Sequence, residues 1–230
     1  MKTHLLILFL LIPVIVFAQD SQTNVKKTQP TIRQISLEIE KRNSFAGEVL
    51  ASTRGFGLGI FYRKVYTQNL SANVNFSISS VKDDDEVTYY DYYGNSVSPG
   101  KINRFMLMPL LFGIEHRLFS EEIVGTFRPF INAGAGLTMI YSSPAQEEFF
   151  TSLKYGKMYY SFAGYIGAGA YFGNRQESLL GINVRFLFAP FNNGIESLEI
   201  PSNLVNQTKK KSMKEFGGLY ITFSFGSNYD

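Results

Sequence analysis

The sequence predicts an all-β fold, an eight-stranded antiparallel up-and-down transmembrane β-barrel. Three observations carry this. First, residues 127–141, FRPFINAGAGLTMIY, split cleanly by alternation. Phe127, Pro129, Ile131, Ala133, Ala135, Leu137, Met139 and Tyr141 are apolar, whereas Arg128, Phe130, Asn132, Gly134, Gly136, Thr138 and Ile140 mix charge, polarity and small size. A strand sends alternate side chains to opposite faces, and about 15 residues exceeds the roughly 9–11 that a tilted strand needs to cross a bilayer. Second, similar segments recur, separated by connections that read long and short in turn, as in barrels with short periplasmic turns and longer outside loops. Third, the chain opens like an exported protein: Lys2, an apolar run over residues 5–16, then Val16-Phe17-Ala18 before Gln19.

The elements follow in order. Residues 1–18 read as a cleaved signal peptide, the apolar run being too short to span a membrane. Residues 19–32 are polar and aperiodic, a flexible periplasmic tail. The first strand is expected over 33–41, where Ile35, Leu37 and Ile39 alternate with Ser36, Glu38 and Glu40, and 42–54 is expected to be a loop. In the second strand, Gly55–Val65, Phe56, Leu58, Ile60 and Tyr62 oppose Gly57, Gly59, Phe61 and Arg63. The third, 69–81, sets Leu70, Ala72, Val74, Phe76 and Ile78 against a ladder of Asn and Ser. A soluble barrel of the lipocalin type would turn the apolar set inward; a membrane barrel turns it to lipid.

After the acidic and aromatic loop 82–100 comes a fourth strand over 101–118, in which Met106, Met108, Leu110, Phe112 and Ile114 oppose Gly113, Glu115 and Arg117, and Pro109 marks a bulge. The fifth is 127–141. The sixth, 159–172, is so rich in Gly and Ala that its facing is undetermined. The seventh, Ser178–Phe188, sets Leu180, Ile182, Val184 and Phe186 against Gly181, Asn183 and Arg185. The eighth is 215–226, with 227–230 as a tail, so the barrel domain is expected over 33–226.

Composition excludes several functions. The chain has no Cys, so disulfides, thiolate metal sites and Cys nucleophiles are absent. A net charge of +3 gives no ground for a nucleic-acid partner. With 21 Phe, 14 Tyr and 20 Gly, it suits a barrel wall.

The residues Asn103-Arg104-Phe105 with Pro109-Leu110, Phe127-Arg128-Pro129-Phe130 with Gly134-Ala135-Gly136, and the terminal GGLYITFSFG resemble the small outer-membrane β-barrel proteins of Gram-negative bacteria, in particular an uncharacterised outer membrane protein beta-barrel domain group. The resemblance covers about residues 33–226. It implies location in the outer membrane, contact with its lipid and lipopolysaccharide, and handling by the barrel assembly machinery during biogenesis. The terminal aromatic signal read by that machinery is imperfect here, because the chain runs on past Phe225.

Candidate sites are few. Arg63, Glu115, Arg117, Arg128 and Arg185 fall in the non-apolar sets, so they are expected to form a charge network inside the barrel, with Glu115 as its one acid in the middle of the wall and Arg128 or Arg185 as its partner. An eight-stranded interior is just wide enough for side chains to fill it, which favours a structural plug over a gated pore. His116 falls in the outward set and is expected near the periplasmic end, remote from a catalytic role on the outside. Asp83, Asp84, Asp85 and Glu86 match no ordered calcium loop, so no metal or other cofactor is expected. Tyr89, Tyr90, Tyr92 and Tyr93, and Lys209, Lys210 and Lys211, are the outside-loop candidates for binding; a protein partner is not identifiable from sequence. The expected function is non-enzymatic, structural or in binding. The alternatives are a pore or transporter for a small solute, a soluble lipocalin-like ligand-binding barrel and a lipid-modifying barrel enzyme.

Overall fold

The computed structural model describes residues 43–120, 122–123, 126–173, 178–199 and 212–229. The segments 1–18, 19–32 and 33–41 and the residues Lys209, Lys210 and Lys211 lie outside that set.

Eight strands close into one antiparallel barrel: β1 (Asn43–Ser52), β2 (Gly55–Val65), β3 (Leu70–Val81), β6 (Asn103–Arg117), β7 (Arg128–Pro144), β8 (Lys157–Phe172), β9 (Ser178–Phe188) and β12 (Gly218–Tyr229). Each pairs with its neighbours along the chain, and β12 closes on β1 from Asn43↔Tyr229 to Ser52↔Tyr220. Smaller elements sit in the connections: a hairpin of β4 (Tyr89–Tyr90) and β5 (Ser96–Val97), the short helix α1 (Phe149–Ser152), and a second hairpin of β10 (Pro190–Ile195) and β11 (Met213–Glu215).

The alternation sets the facing. Phe56, Leu58, Ile60, Phe112, Ile114, Ile182, Val184, Ile221 and Phe223 are exposed on the outer wall, while Ser71, Asn73, Asn75, Glu115, Asn183 and Thr222 are buried inside. This is the inverse of a soluble barrel, whose apolar set would be interior. No helix among the described residues is long and apolar enough to cross a membrane, which says nothing against crossing by strands.

Three expectations are corrected. The first barrel strand is β1, not a segment ending at Lys41; residues 43–52 were expected in a loop. The cause lies in its composition: the outward residues Phe45, Gly47, Val49 and Ala51 are mostly small, and the inward set of Ser44, Ala46, Glu48 and Leu50 includes apolar members, so polarity does not alternate. Its connection to β2 is accordingly the two-residue turn Thr53-Arg54, in which Ser52 Oγ accepts from the backbone N–H groups of Arg54 (3.2 Å) and Gly55 (3.0 Å). The long and short alternation therefore begins only at β2. Second, β12 is shifted toward the C-terminus: residues 227–229 belong to the wall rather than to a tail, because they pair with Phe45, Ser44 and Asn43. Third, Pro109 makes no bulge. The β6–β7 register runs unbroken through Pro109↔Thr138, and on the β3 side the ladder lapses around Pro109 and resumes in the same register. The missing N–H costs a ladder bond without shifting the strand.

The three long connections share one end of the barrel. The turn 66–69, the strand ends Arg117, Arg128, Phe172 and Ser178, and the strand ends Asn43 and Tyr229 share the other.

Candidate functional site

The interior has two polar zones and an apolar cap. At the short-turn end, Glu115 on β6 is buried among donors from three other strands. Its Oε1 accepts from Arg63 Nη1 of β2 at 3.5 Å and from Ser71 Oγ of β3 at 3.2 Å; its Oε2 accepts from the Tyr171 hydroxyl of β8 at 2.8 Å. Arg63 and Glu115 are each only 4% exposed. Arg63 also reaches Ser44 Oγ (3.1 Å) and lies 4.6 Å from the Tyr171 ring centroid, and Ser44 donates to Asn228 across the β1–β12 seam at 2.7 Å.

Further along the lumen a second carboxylate appears, Glu48 of β1. It accepts from Ser224 Oγ at 3.2 Å and from Asn75 Nδ2, and stands 3.8 Å from Arg185. The expectation of a single interior acid is thus corrected, and so is the choice of partners: Arg63 pairs with Glu115, and Arg185 pairs with Glu48. The sequence conceals Glu48 because polarity does not alternate along β1. Once Phe45, Gly47 and Val49 are assigned outward, the period of two sends Glu48 inward.

Arg128 is buried at the short-turn end, 6.0 Å from the Tyr171 ring. Arg117 sits at the rim and donates to the Ile123 carbonyl at 3.2 Å. The two polar zones are separated by the stacked rings of Phe130 and Tyr171 (centroids 4.5 Å apart), which line the cavities on both sides. The inner cavity, between Glu48, Arg185, Asn132 and Asn183, measures about 10 Å³, room for about one water. A solute does not fit.

Glycines make room for the interior tyrosines. A Cβ at Gly113 would fall 2.1 Å from the Tyr165 hydroxyl, and one at Gly134 2.5 Å from the same ring. This settles the facing of β8: Tyr165 and Tyr171 point inward, with Tyr165 donating to Asn73 Oδ1 at 3.1 Å, and Tyr160 and Phe162 point outward. Gly113→Ala is expected to destabilise the barrel by about 1–3 kcal/mol through overpacking. In a Tyr165→Phe background, where the clashing oxygen is gone, the added loss should shrink. Equal losses in both backgrounds, measured by urea unfolding, would remove the assigned contact.

At the long-loop end the interior turns apolar. Leu50, Leu107, Leu111, Ile140, Leu187 and Tyr220 pack together, capped by Phe191, Ile195 and Phe216 from the segment between β9 and β12. Polar contacts fasten this cap. Glu215 Oε1 accepts from the N–H groups of Ala189 (2.7 Å) and Gly217 (2.9 Å), and Arg54 donates to the Glu215 carbonyl. The acidic run is consumed in the same work: Asp84 pairs with Arg54 at 2.9 Å, Glu86 with Lys101 at 2.6 Å, and Asp83 accepts from Ser197. Among the described residues no three His, Asp or Glu side chains gather as a metal would require.

The connection between β3 and β6 carries the tyrosine hairpin. Asp91 Oδ1 accepts from the N–H groups of Tyr93 (2.9 Å) and Asn95 (2.8 Å), and Oδ2 from Asn95 Nδ2 (2.9 Å). These bonds hold the Asp91 carboxyl below its ordinary range. They fix a tip on which Tyr89, Tyr90, Tyr92 and Tyr93 are all exposed, Tyr92 at 98%. The structure does not bring these tyrosines near the interior charges. His116 faces outward near the short turns, between Leu70 of β3 and Ile131 of β7.

Among solved structures, the chain is similar to Neisserial surface protein A, at 10% identity and a TM-score of 0.46, over 82% of this chain and 94% of that one. It is similar to the outer membrane protein OprG of Pseudomonas aeruginosa (11%, 0.45, 82% and 96%). It is also similar to the N-terminal β-barrel domain of OprF from the same organism (10%, 0.43, 82% and 99%). No family model and no curated protein matches the chain. The likeness is one of barrel architecture.

Proposed function

We propose that this chain is an integral outer-membrane barrel that passes no solute through its lumen and works, without catalysis, through the loops it displays outside the cell. The observation that carries the reading is the inversion of the wall. Leucine, isoleucine, valine and phenylalanine cover the outside of strands 10–17 residues long, while two carboxylates and their arginines are buried inside. Such a surface is stable in lipid and aggregates in water. The Phe130–Tyr171 stack and the apolar cap block the lumen, so the accessible chemistry lies on the fixed tyrosine hairpin. Tyr supplies large contact area at low entropic cost, which suits a binding tip.

The absence of Cys makes the placement directly testable. Tyr92→Cys is expected to react on intact cells with a bulky, membrane-impermeant maleimide, and Gln68→Cys only after the outer membrane is permeabilised. The reverse pattern, or equal labelling, rejects the assigned orientation. Purified protein in planar bilayers is expected to give no steady unit conductance; a reproducible conductance step would instead make it a pore.

A further inference from the structure

The connection between β7 and β8 turns back along the outside of the wall. Three contacts set this course, each made by a residue of the outward set. Arg104, in step with the outward Met106 and Met108 of β6, donates to the carbonyls of Ala145 and Glu147, both at 2.8 Å. Ser143, in step with Met139 and Tyr141 of β7, is nonetheless only 3% exposed, because Ser152 of α1 lies over it with its Oγ 3.4 Å away. The Tyr141 hydroxyl donates to the Leu153 carbonyl, and Gly156 lies so close against the Tyr141 ring that a Cβ would collide with it.

The folded-back segment displays aromatic rings. Phe149 and Phe150, in edge contact with centroids 5.4 Å apart, and Tyr155 are all exposed, Phe150 at 81%. Next to them on β8 come Met158, Tyr160 and Phe162, also exposed and paired in order with Tyr141, Met139 and Leu137. The apolar surface of the segment is thus continuous with the outer wall of the barrel. A contiguous exposed apolar patch marks an interaction surface, and aromatic residues at the edge of a membrane wall settle where headgroups meet acyl chains. The exposed charges of the segment, Glu147 and Glu148 against Lys154 and Lys157, cancel, so the patch calls for no charged partner.

We propose that this connection is a membrane foot, in which Phe149, Phe150 and Tyr155 dip into the lipid interface of the leaflet at the long-loop end. Tethered through Arg104, Ser143 and Tyr141, the foot fixes the depth at which that end of the barrel sits. The inference rests on the lipid-facing wall of the function proposed above, but not on which end faces outward.

The test uses the full chain, which has no Cys, refolded into phosphatidylcholine vesicles with one introduced Cys carrying a polarity-sensitive fluorophore. The label on Phe150→Cys is expected to be quenched several-fold more by lipid bearing a nitroxide near the headgroup than by lipid bearing it deep in the acyl chain, with no dependence on salt. Phe223→Cys, midway along the wall, should show the opposite order, and Tyr92→Cys should respond only to iodide in the water on both sides. If the Phe150→Cys label is reached by iodide and by neither lipid while Phe223→Cys keeps its deep quenching, the foot is overturned and the lipid-facing wall stands. If Phe223→Cys also escapes both lipids, the wall fails and the foot with it. Unlabelled Phe150→Cys that forms a disulfide between copies at high lipid-to-protein ratio makes this face a contact with a second copy and overturns the proposal as well.

Discussion

Glu115→Gln is expected to lower the unfolding free energy of the detergent-solubilised barrel by about 3–5 kcal/mol, the usual consequence of removing one partner from a buried ion pair. The shape is kept and the charge is lost. Arg63, 3.5 Å away and 4% exposed, loses this carboxylate and keeps Ser44 and the Tyr171 ring among its contacts. The amide oxygen can still accept from Tyr171, so the loss should fall toward the lower end of that range. The diagnostic is the second substitution. Glu115→Gln combined with Arg63→Gln should recover part of the loss, because groups in direct contact are coupled. Glu115→Gln combined with Arg185→Gln should be close to additive, because Arg185 serves Glu48. Urea unfolding read by far-UV circular dichroism, or heat-modified gel mobility, compares the wild type, the three single variants and both double variants. A thermally silent Glu115→Gln, or recovery with Arg185 and not with Arg63, would dismantle the assigned pairing.

The second large effect is on the outer wall. Phe223 lies midway along β12, beside Val49 and Ile182, which also face out. Phe223→Arg places a charge against the middle of the hydrocarbon and is expected to cost about 2–4 kcal/mol in lipid vesicles. Phe45→Arg, near the short-turn end of the neighbouring strand, should cost only about 0–1 kcal/mol, since the penalty fades toward the interfaces. If the two variants unfold at the same urea concentration in vesicles, these side chains do not lie at different depths in lipid.

Much of the wall was legible because polarity and facing coincide there. In β3 the Asn and Ser ladder marks the lumen, and in β9 Leu180, Ile182, Val184 and Phe186 mark the outside. Legibility fails where both faces carry the same residue type. Leu107 and Leu111 point inward beside Met106, Leu110 and Phe112, which point outward, so alternation gives no warning that half of the interior is apolar. That chamber is filled by Phe191, from a connection without periodicity, and by Phe216, which is expected in the eighth strand but precedes it; only the closed fold shows where they go. β8 was unreadable for another reason. Its Gly and Ala carry no polarity, and the inward turn of Tyr165 depends on Gly113 and Gly134 of other strands. Glu48 was hidden by the misplaced first strand, and with it the true partner of Arg185. The outside-loop tyrosines were legible as exposed residues, but the Asp91 clasp that fixes their tip depends on backbone geometry that composition does not express.

The seam between β1 and β12 has a consequence for how the molecule comes together. Glu48 arrives early in the chain, yet one of its hydrogen-bond donors, Ser224, lies 176 residues later, and the Ser44–Asn228 bond joins residues 184 apart. Until the last strand docks, a carboxylate and an arginine-bearing wall stand open to whatever surrounds them. Docking is therefore the event that both shuts the sheet and buries the charge, and it must wait for nearly the whole polypeptide. The entropy of joining such distant points grows only as the logarithm of the separation, but topologies dominated by distant pairings fold slowly. The folding and unfolding curves are then expected to separate when denaturant is changed faster than this edge equilibrates, with its closing as the slow step of folding and its opening as the slow step of unfolding.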